Sequence, residues 1–300
     1  QSIPLLRVFN YCSCKKRQIM INSKVSVITT VYNGEKYIYN CARLILKQDH
    51  ENFEWIIVND GSNDHSQNVL EELQKKDSRV LVLNPGRIGR AKALNYAVQH
   101  CTTDYIAQQD IDDISYTRRL SLQYNYLKEN LEVGVIGGYF YQINQKTKEK
   151  FLRKPPTNHN EILRIIPRAI PFAHTIAMFR RAAWMDAGGY PEIDTAIDLG
   201  LWIKIMKTKW KFAVIPELLG EHFDHSSSYF NKHYKYSYRQ KIMIKLQISS
   251  ITNLGLPKLM YIFPILRYIN IYTYKYLPKN TLRYLRSKMC GIKEVSSIVD

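Results

Sequence analysis

The spacing of apolar residues alternates between strand and helix along the first half of the chain. Residues 24–30 (KVSVITT) are β-branched and apolar, the pattern of a strand buried on both faces. A helical period over 35–48 follows, then a second apolar run at 54–59 (EWIIVN). A helix over 64–76 with Asp64 as its N-cap, a strand over 79–83, a helix over 89–100 and a strand over 104–109 continue the series. Strand and helix in turn, joined by short links, imply right-handed crossovers and a parallel sheet, hence a doubly wound α/β domain. Beyond a helix over 116–130 the pattern is mixed. Residues 133–144 and 150–154 predict strands, and short helices and loops fill the chain up to about residue 228. Residues 229–253 predict a basic, Tyr-rich helix. The stretch 256–278 mixes apolar and aromatic residues with Lys258, Arg267 and Lys275.

Composition narrows the class. With 300 residues, 45% of them apolar, the chain has one or two domains and enough apolar side chains for a sizeable core. Its five cysteines are scattered and form no CxxC pair, which argues against a disulfide framework or zinc ribbon and suits a reducing compartment. The longest uncharged apolar stretch near the C-terminus, 259–266, is far too short to span a bilayer, and no secretory signal is legible at the start. The net charge of +17 sits at the ends: residues 1–20 hold four cations and no acid, and 226–300 hold thirteen cations against Glu294 and Asp300. Residues 21–225 are therefore almost neutral. The expected organisation is a basic tail (1–20), a catalytic domain (21–225) and a basic, Tyr-rich helical extension (226–300). A nucleic-acid enzyme would line its working groove with the charge, so nucleic acid is not the expected partner. Tyrosines interleaved with Lys and Arg fit an element on an anionic membrane surface; the alternative is a helical cap with solvated charges.

Three polar clusters fall at predicted strand ends: residues 30–34 (TVYNG), 59–64 (NDGSND) and 110–113 (DIDD). In an open α/β sheet, ligands bind beyond the carboxyl ends of the strands, so a parallel sheet brings the three together. The chain has neither a GxGxxG after the first strand nor a GxxxxGK[ST] anywhere, which argues against a nicotinamide dehydrogenase and a P-loop NTPase. Asp110, Asp112 and Asp113 would repel one another at such a site, and a divalent cation, Mn²⁺ or Mg²⁺, relieves that repulsion. The alternative is that Asp113 caps the next helix while Asp110 and Asp112 face solvent.

These blocks resemble family 2 glycosyltransferases, inverting enzymes of GT-A fold. The resemblance runs in order over residues 24–225, through VSVITTVYN (25–33), WIIVNDGSND (55–64), GRAKALNYA (89–97) leading to DYIAQQDIDD (104–113), FRRAAWMDAGGYPE (179–192) and DLGLWIKI (198–205). It implies that Thr30 and Tyr32 line the pocket of a UDP- or dTDP-type nucleotide sugar, and that Asp60 accepts a hydrogen bond from the base. Asp60 could instead serve only its own turn. Arg90 would lie near base and phosphates, or on a solvated helix face. Asp110 would sit near the ribose, Asp112 on the metal, and Asp113 would be a further acid there; His225 resembles a late histidine brought toward diphosphate or metal. Asp198 matches the general base, although Ile197 stands where the family usually has a second acid. Asp198 could instead cap the following helix, with Asp194 as the substitute base. Gly188 and Gly189 would form a tight turn that leaves room for the acceptor.

The implied reaction is one in-line displacement. The metal offsets the charge of the departing diphosphate while Asp198 takes the proton of the attacking hydroxyl, and the anomeric centre inverts. The acceptor would be a saccharide or lipid-linked, in surface polysaccharide or glycolipid biosynthesis, with the enzyme cytoplasmic and peripheral at the inner face of the membrane. A nucleotidyltransferase using the same carboxylates and a nucleic-acid-binding protein using the basic tails are the competing classes; TVYNGEKY lacks the basic, Gly-rich loop that the first would need.

Overall fold

The computed structural model describes residues 24–224, 234–273 and 293–297. His225 and the segments 1–20 and 274–292 lie outside the described residues. The parallel half of the sheet follows the predicted series: β1 (Val25–Val31), α1 (Glu35–Ile45), β2 (Phe53–Asn59), α2 (Ser66–Lys76), β3 (Val80–Leu83), α3 (Arg90–Gln99) and β4 (Tyr105–Gln108). β1 pairs in parallel with β2 on one side and β4 on the other, and β2 pairs in parallel with β3. The chain runs outward from β1 to β3 and then returns to place β4 on the opposite side of β1. The strand order thus reverses between β1 and β4, the place where an open α/β sheet forms its ligand crevice beyond the strand ends.

β1 and β2 are buried on both faces, as their predominantly apolar, β-branched sequences favour. Val27 and Ile57 join one apolar layer with Ile38, Ile45 and Leu70; Ile28, Ile56 and Val58 join the other with Leu94 and Val98. Period-two alternation thus anchors helices to both sides of the sheet.

Past β4 come β5 (Ile114–Ser115), α4 (Arg119–Glu129), β6 (Val133–Asn144), β7 (Lys150–Lys154), α5 (His159–Ile165), β8 (Met178–Arg180), α6 (Arg181–Asp186), α7 (Ile197–Met206) and β9 (Lys211–Asp224). β8 pairs antiparallel with β4, and β6 with β8, so the sheet changes to antiparallel on this side. β9 corrects the expectation of loops and short helices here. It is a 14-residue strand parallel to β6 and antiparallel to β5. Pro216 hides it in the sequence, because proline cannot donate to a ladder. The register steps from Ile215 opposite Gly138 to Leu218 opposite Tyr139, which leaves Pro216 in the irregularity.

In the basic extension, α8 (Tyr236–Asn253) and α9 (Ile262–Thr273) are helical, but β10 (Lys293–Ser297) adds an antiparallel edge strand to β7. The extension is thus not helical throughout. α8 is tied to the domain where Gln247 Nε2 donates to the Arg168 carbonyl (3.0 Å) and Tyr238 OH to Asp194 Oδ2 (2.6 Å). No helix among the described residues is long and apolar enough to cross a membrane.

Candidate active site

The loops after β1 and β2 are sewn to each other. The Asp60 amide donates to the Val31 carbonyl (2.8 Å), Asn33 N to Ser62 Oγ (3.0 Å), and Asn63 N back to Asn33 Oδ1 (2.9 Å). Asp64 accepts from the Ser66 amide at the start of α2 and from the Glu35 amide at the start of α1. His65 holds the N-cap position of α2, so Asp64 stands one residue earlier than expected while still serving the helix start.

Thr30 and Tyr32 lie at the end of β1, Thr30 half-buried and Tyr32 exposed at the crevice. Asp60 is buried, and its carboxylate is engaged within the protein: Oδ1 accepts the Ile88 and Gly89 amides (2.8 and 2.9 Å), and Oδ2 accepts Arg87 Nη1. The Arg87 guanidinium also lies 3.8 Å from the centre of the Tyr32 ring, a cation–π contact. In this arrangement Asp60 organises the loop before α3. Sequence reasoning missed Arg87, which fills the space between Tyr32 and Asp60; a lone arginine in a Gly-rich loop carries no periodic signal.

Arg90 is in the first turn of α3, and its Nη2 donates to Asp110 Oδ1 at 2.6 Å. It is not on a solvated helix face. Gln108 Nε2 adds a second bond to the same oxygen (2.9 Å), and Thr175 Oγ1 accepts the Asp110 amide (3.0 Å). Burial disfavours the charged Asp110 carboxylate, but Arg90 and its hydrogen bond outweigh that and hold its pKa at about 2. His174 lies in the same neighbourhood with Nε2 on Tyr190 OH (3.0 Å), and burial depresses its pKa to about 3, so it is neutral.

The three acids of DIDD separate. Asp113 turns inward: Oδ2 pairs with His222 Nδ1 (3.0 Å), and Oδ1 accepts the Phe223 amide (2.8 Å). Burial pushes Asp113 up to about 6, against the pull of His222. His222 is raised well above its ordinary value by Asp113 and Asp224 in spite of burial, so the proton resides on the imidazole. Asp113 thus joins β9 to the strand-end loop, correcting both its reading as a further acid at the metal and its reading as a helix cap. His222 was missed because a histidine inside a strand pattern gives no spacing cue. Asp112 remains half-buried at the crevice beside Asp110. No group of three His, Cys, Asp or Glu among the described residues gathers around one point for a metal. The donor set still fits a hard cation that takes one or two carboxylates and completes its shell with substrate phosphates.

Behind the loop, Arg119 of α4 is wholly buried and donates to Gln108 O, Ala177 O, Gln109 Oε1, Ser115 Oγ and Gln123 Oε1 at 2.7–3.2 Å. It grips both flanks of residues 110–113 and fixes where they leave the sheet.

Asp198 lies in the first turn of α7, one residue inside the helix; Ala196 is the N-cap. It is not the cap. Ala196 adopts φ 54°, a left-handed conformation that costs a non-glycine residue about 1–2 kcal/mol. Burial raises the Asp198 carboxyl above its ordinary pKa; the Leu199 amide and Arg90 oppose the rise, and Asp110 adds to it. Asp198 therefore stands within the field of the Arg90–Asp110 pair. Asp194 is exposed and bonded to Tyr238 of α8.

Gly188 and Gly189 have φ of 67° and 72°, which explains the glycines. At Gly189 the room they were expected to leave is occupied by the protein, whereas a Cβ on Gly188 would meet only Lys204 Nζ at 3.8 Å. A Cβ on Gly189 would meet Asn95 Oδ1 at 2.8 Å, and Lys204 Nζ holds both carbonyls (2.9 and 2.8 Å). Packing calls for glycine at 189, and the left-handed backbone favours it at both positions.

The sequence model of glycosyl transferase family 2 matches residues 26–188. The O-antigen biosynthesis glycosyltransferase WbnJ of Escherichia coli is 34% identical over 191 residues, covering 63% of this chain and 74% of WbnJ. Among solved structures, Staphylococcus aureus TarS residues 1–349 in complex with UDP-GlcNAc aligns with a TM-score of 0.63 at 20% identity, over 84% of this chain and 73% of that one. Mannosyltransferase PcManGT from Pyrobaculum calidifontis, in complex with GDP-Man and Mn²⁺, aligns at 0.57 and 16% identity, over 88% and 79%. The competing nucleotidyltransferase and nucleic-acid-binding classes find no support in these likenesses. The strand order, the strand-end carboxylates and the family match agree: this chain belongs to glycosyl transferase family 2 and is a glycosyltransferase.

Proposed function

We propose that the chain transfers a sugar from a UDP- or dTDP-type nucleotide sugar to an acceptor hydroxyl with inversion, in building a surface polysaccharide or glycolipid. The observation that carries this reading is Asp198, a partly buried carboxylate whose charge is disfavoured, in the field of the Arg90–Asp110 pair at the reversal of strand order. A carboxylate raised by desolvation is a stronger base than one in water, and a general base on the acceptor side takes the proton as the hydroxyl attacks. A single base acting on the acceptor hydroxyl suits one displacement.

Thr30 and Tyr32 would border the nucleoside, and Asp60 would act through the loop that it fixes at 87–89. Asp110, oriented by Arg90 and Gln108, would face the ribose. Asp112, with Asp110 beside it, would hold Mn²⁺ or Mg²⁺; when bound, the cation supplies electrostatic relief for the departing diphosphate. His225 would approach the same diphosphate. Gly188 and Gly189, through the shape of their turn, would border the acceptor. The likeness to WbnJ, an O-antigen biosynthesis glycosyltransferase, supports a saccharide or lipid-linked acceptor, and the basic extension supports a peripheral position on an anionic membrane at the cytoplasmic face. Residues 1–20, 21–225 and 226–300 would divide the chain into tail, catalytic domain and membrane-facing extension.

The test is a panel of nucleotide sugars read by thermal shift with and without Mn²⁺, followed by turnover of the best binder. Asp198→Asn should keep the binding and lose the turnover; transfer at the parent rate would remove the base assignment. Excess chelator should abolish transfer and added Mn²⁺ restore it. Full activity in chelator would refute the metal role of Asp112.

A further inference from the structure

α9 has its polarity reversed. The side that faces the protein carries Arg267 and Asn270 with Phe263, Pro264 and Ile271. Arg267 donates to Gln247 Oε1 (3.0 Å), Gln240 Oε1 (2.7 Å) and the Arg168 carbonyl (3.2 Å), and Asn270 Nδ2 to Tyr236 OH (3.3 Å). The Arg168 guanidinium lies 4.5 Å from the Phe263 ring centre. The outward side carries Ile262, Ile265 (53% exposed), Leu266, Ile269 (48%) and Tyr272 (58%), and Leu259 (84%) extends the patch from the preceding turn. Positions 262, 265, 266, 269 and 272 form one stripe at helical spacing. A helix of a water-soluble surface places such a stripe inward and its polar residues outward. Here the apolar stripe faces away from the domain.

Charge decides what covers it. Residues 234–273 contain six Lys and Arg and no Asp or Glu. Lys235, Lys241, Lys245 and Lys258 are exposed, and Lys241 is within electrostatic reach of Tyr268 on the outward side. A second copy of this surface would set cations against cations, whereas anionic lipid complements both the charge and the apolar stripe. The Tyr268 and Tyr272 rings pack together 5.3 Å apart, amphipathic side chains suited to headgroup depth. The 12 described residues of α9 span about 18 Å, enough for a stripe that lies along an interface.

We propose that the outward stripe of α9 is a lipid-contact surface that lies in the interface of an anionic bilayer, with Ile265 and Ile269 below the headgroups and Lys241, Lys245 and Lys258 on lipid phosphate. This rests on the membrane-surface reading of the extension and gives it an orientation. Because α8 is bonded to Asp194, four residues before Asp198, the hairpin holds the acceptor side of the crevice in a set relation to the lipid.

The experiment is co-sedimentation of the full chain with vesicles of equimolar phosphatidylglycerol and phosphatidylcholine, at low salt and at 0.5 M NaCl. The parent should bind at low salt and keep part of its binding at high salt, where charge alone is screened. Ile265→Gln with Ile269→Gln changes only exposed side chains. It should lower the partition about tenfold or more, abolish the salt-resistant part, and leave the circular dichroism and the vesicle-free nucleotide-sugar thermal shift unchanged. Undiminished sedimentation of the double variant, or no binding by the parent, overturns the proposal. So does a parent dimer in analytical ultracentrifugation that the double variant dissociates, because the occupant would then be a second copy. A fault in the glycosyl-transfer reading shows separately, as no nucleotide-sugar shift in either protein.

Discussion

Arg119→Met tests whether the buried guanidinium sets the loop that carries Asp110 and Asp112. The side chain is fully enclosed and makes five hydrogen bonds to oxygen acceptors. Burial drags its pKa down to about 9, with Asp110 and Asp113 acting against the fall, so it is charged at neutral pH. Methionine is similarly long and apolar and would fill much of the space. Two acceptors keep other donors: the Gln108 amide serves Ala177 O (3.0 Å), and the Ser115 hydroxyl serves Gln109 Oε1. The loss therefore centres on Gln108 O and Gln123 Oε1, at about 1–3 kcal/mol for each buried acceptor deprived of its donor. Relief of the guanidinium's own desolvation offsets part of this, and a net loss of about 2–4 kcal/mol is expected. Equilibrium urea unfolding at neutral pH measures it, with the slope m showing whether the unfolding reaction itself has changed. The loosened loop should also weaken nucleotide-sugar binding in the folded variant. A loss below about 1 kcal/mol at unchanged m, with binding intact, would refute the argument that Arg119 sets the loop.

Asp198→Asn should lower kcat by about 10²–10⁴-fold with little change in nucleotide-sugar affinity. In the parent, kcat/KM should fall on acidification through a pKa above the ordinary aspartate value, because burial raises this carboxyl. The stability sign is opposite to that of a salt-bridged acid. Charged Asp198 destabilises the fold above its raised pKa, so the Asn variant should be more stable near pH 7, and the gain should vanish as the pH falls below the unfolded value. Gly189→Ala should lower the melting temperature, since it forces a Cβ against Asn95 Oδ1 at 2.8 Å in a left-handed turn. Ala196→Gly should raise stability by about 1 kcal/mol in the same assay by relieving a left-handed alanine; a loss would show that neighbouring contacts favour the alanine side chain.

Local patterning settled the parallel half of the sheet. The runs that became β1 and β2 can only be buried on both faces, and the period of α1, α2 and α3 leaves one apolar side for the sheet, so the strand-end position of TVYNG, NDGSND and DIDD was legible from residue order. β9 was not legible, because Pro216 and Gly220 read as loop, and pairing with β6 and β5 is what makes the segment a strand. The fates of the acids also lay beyond the sequence. Asp60, Asp110 and Asp113 look alike as strand-end carboxylates, yet each is claimed by a partner more than 15 residues away: Arg87, Arg90 and His222. Hydrogen bonds and ion pairs act over a few ångströms in space, whatever the separation along the chain. Sequence spacing could gather the acids at one edge, but only the tertiary fold could assign them Arg87, Arg90 and His222 as partners.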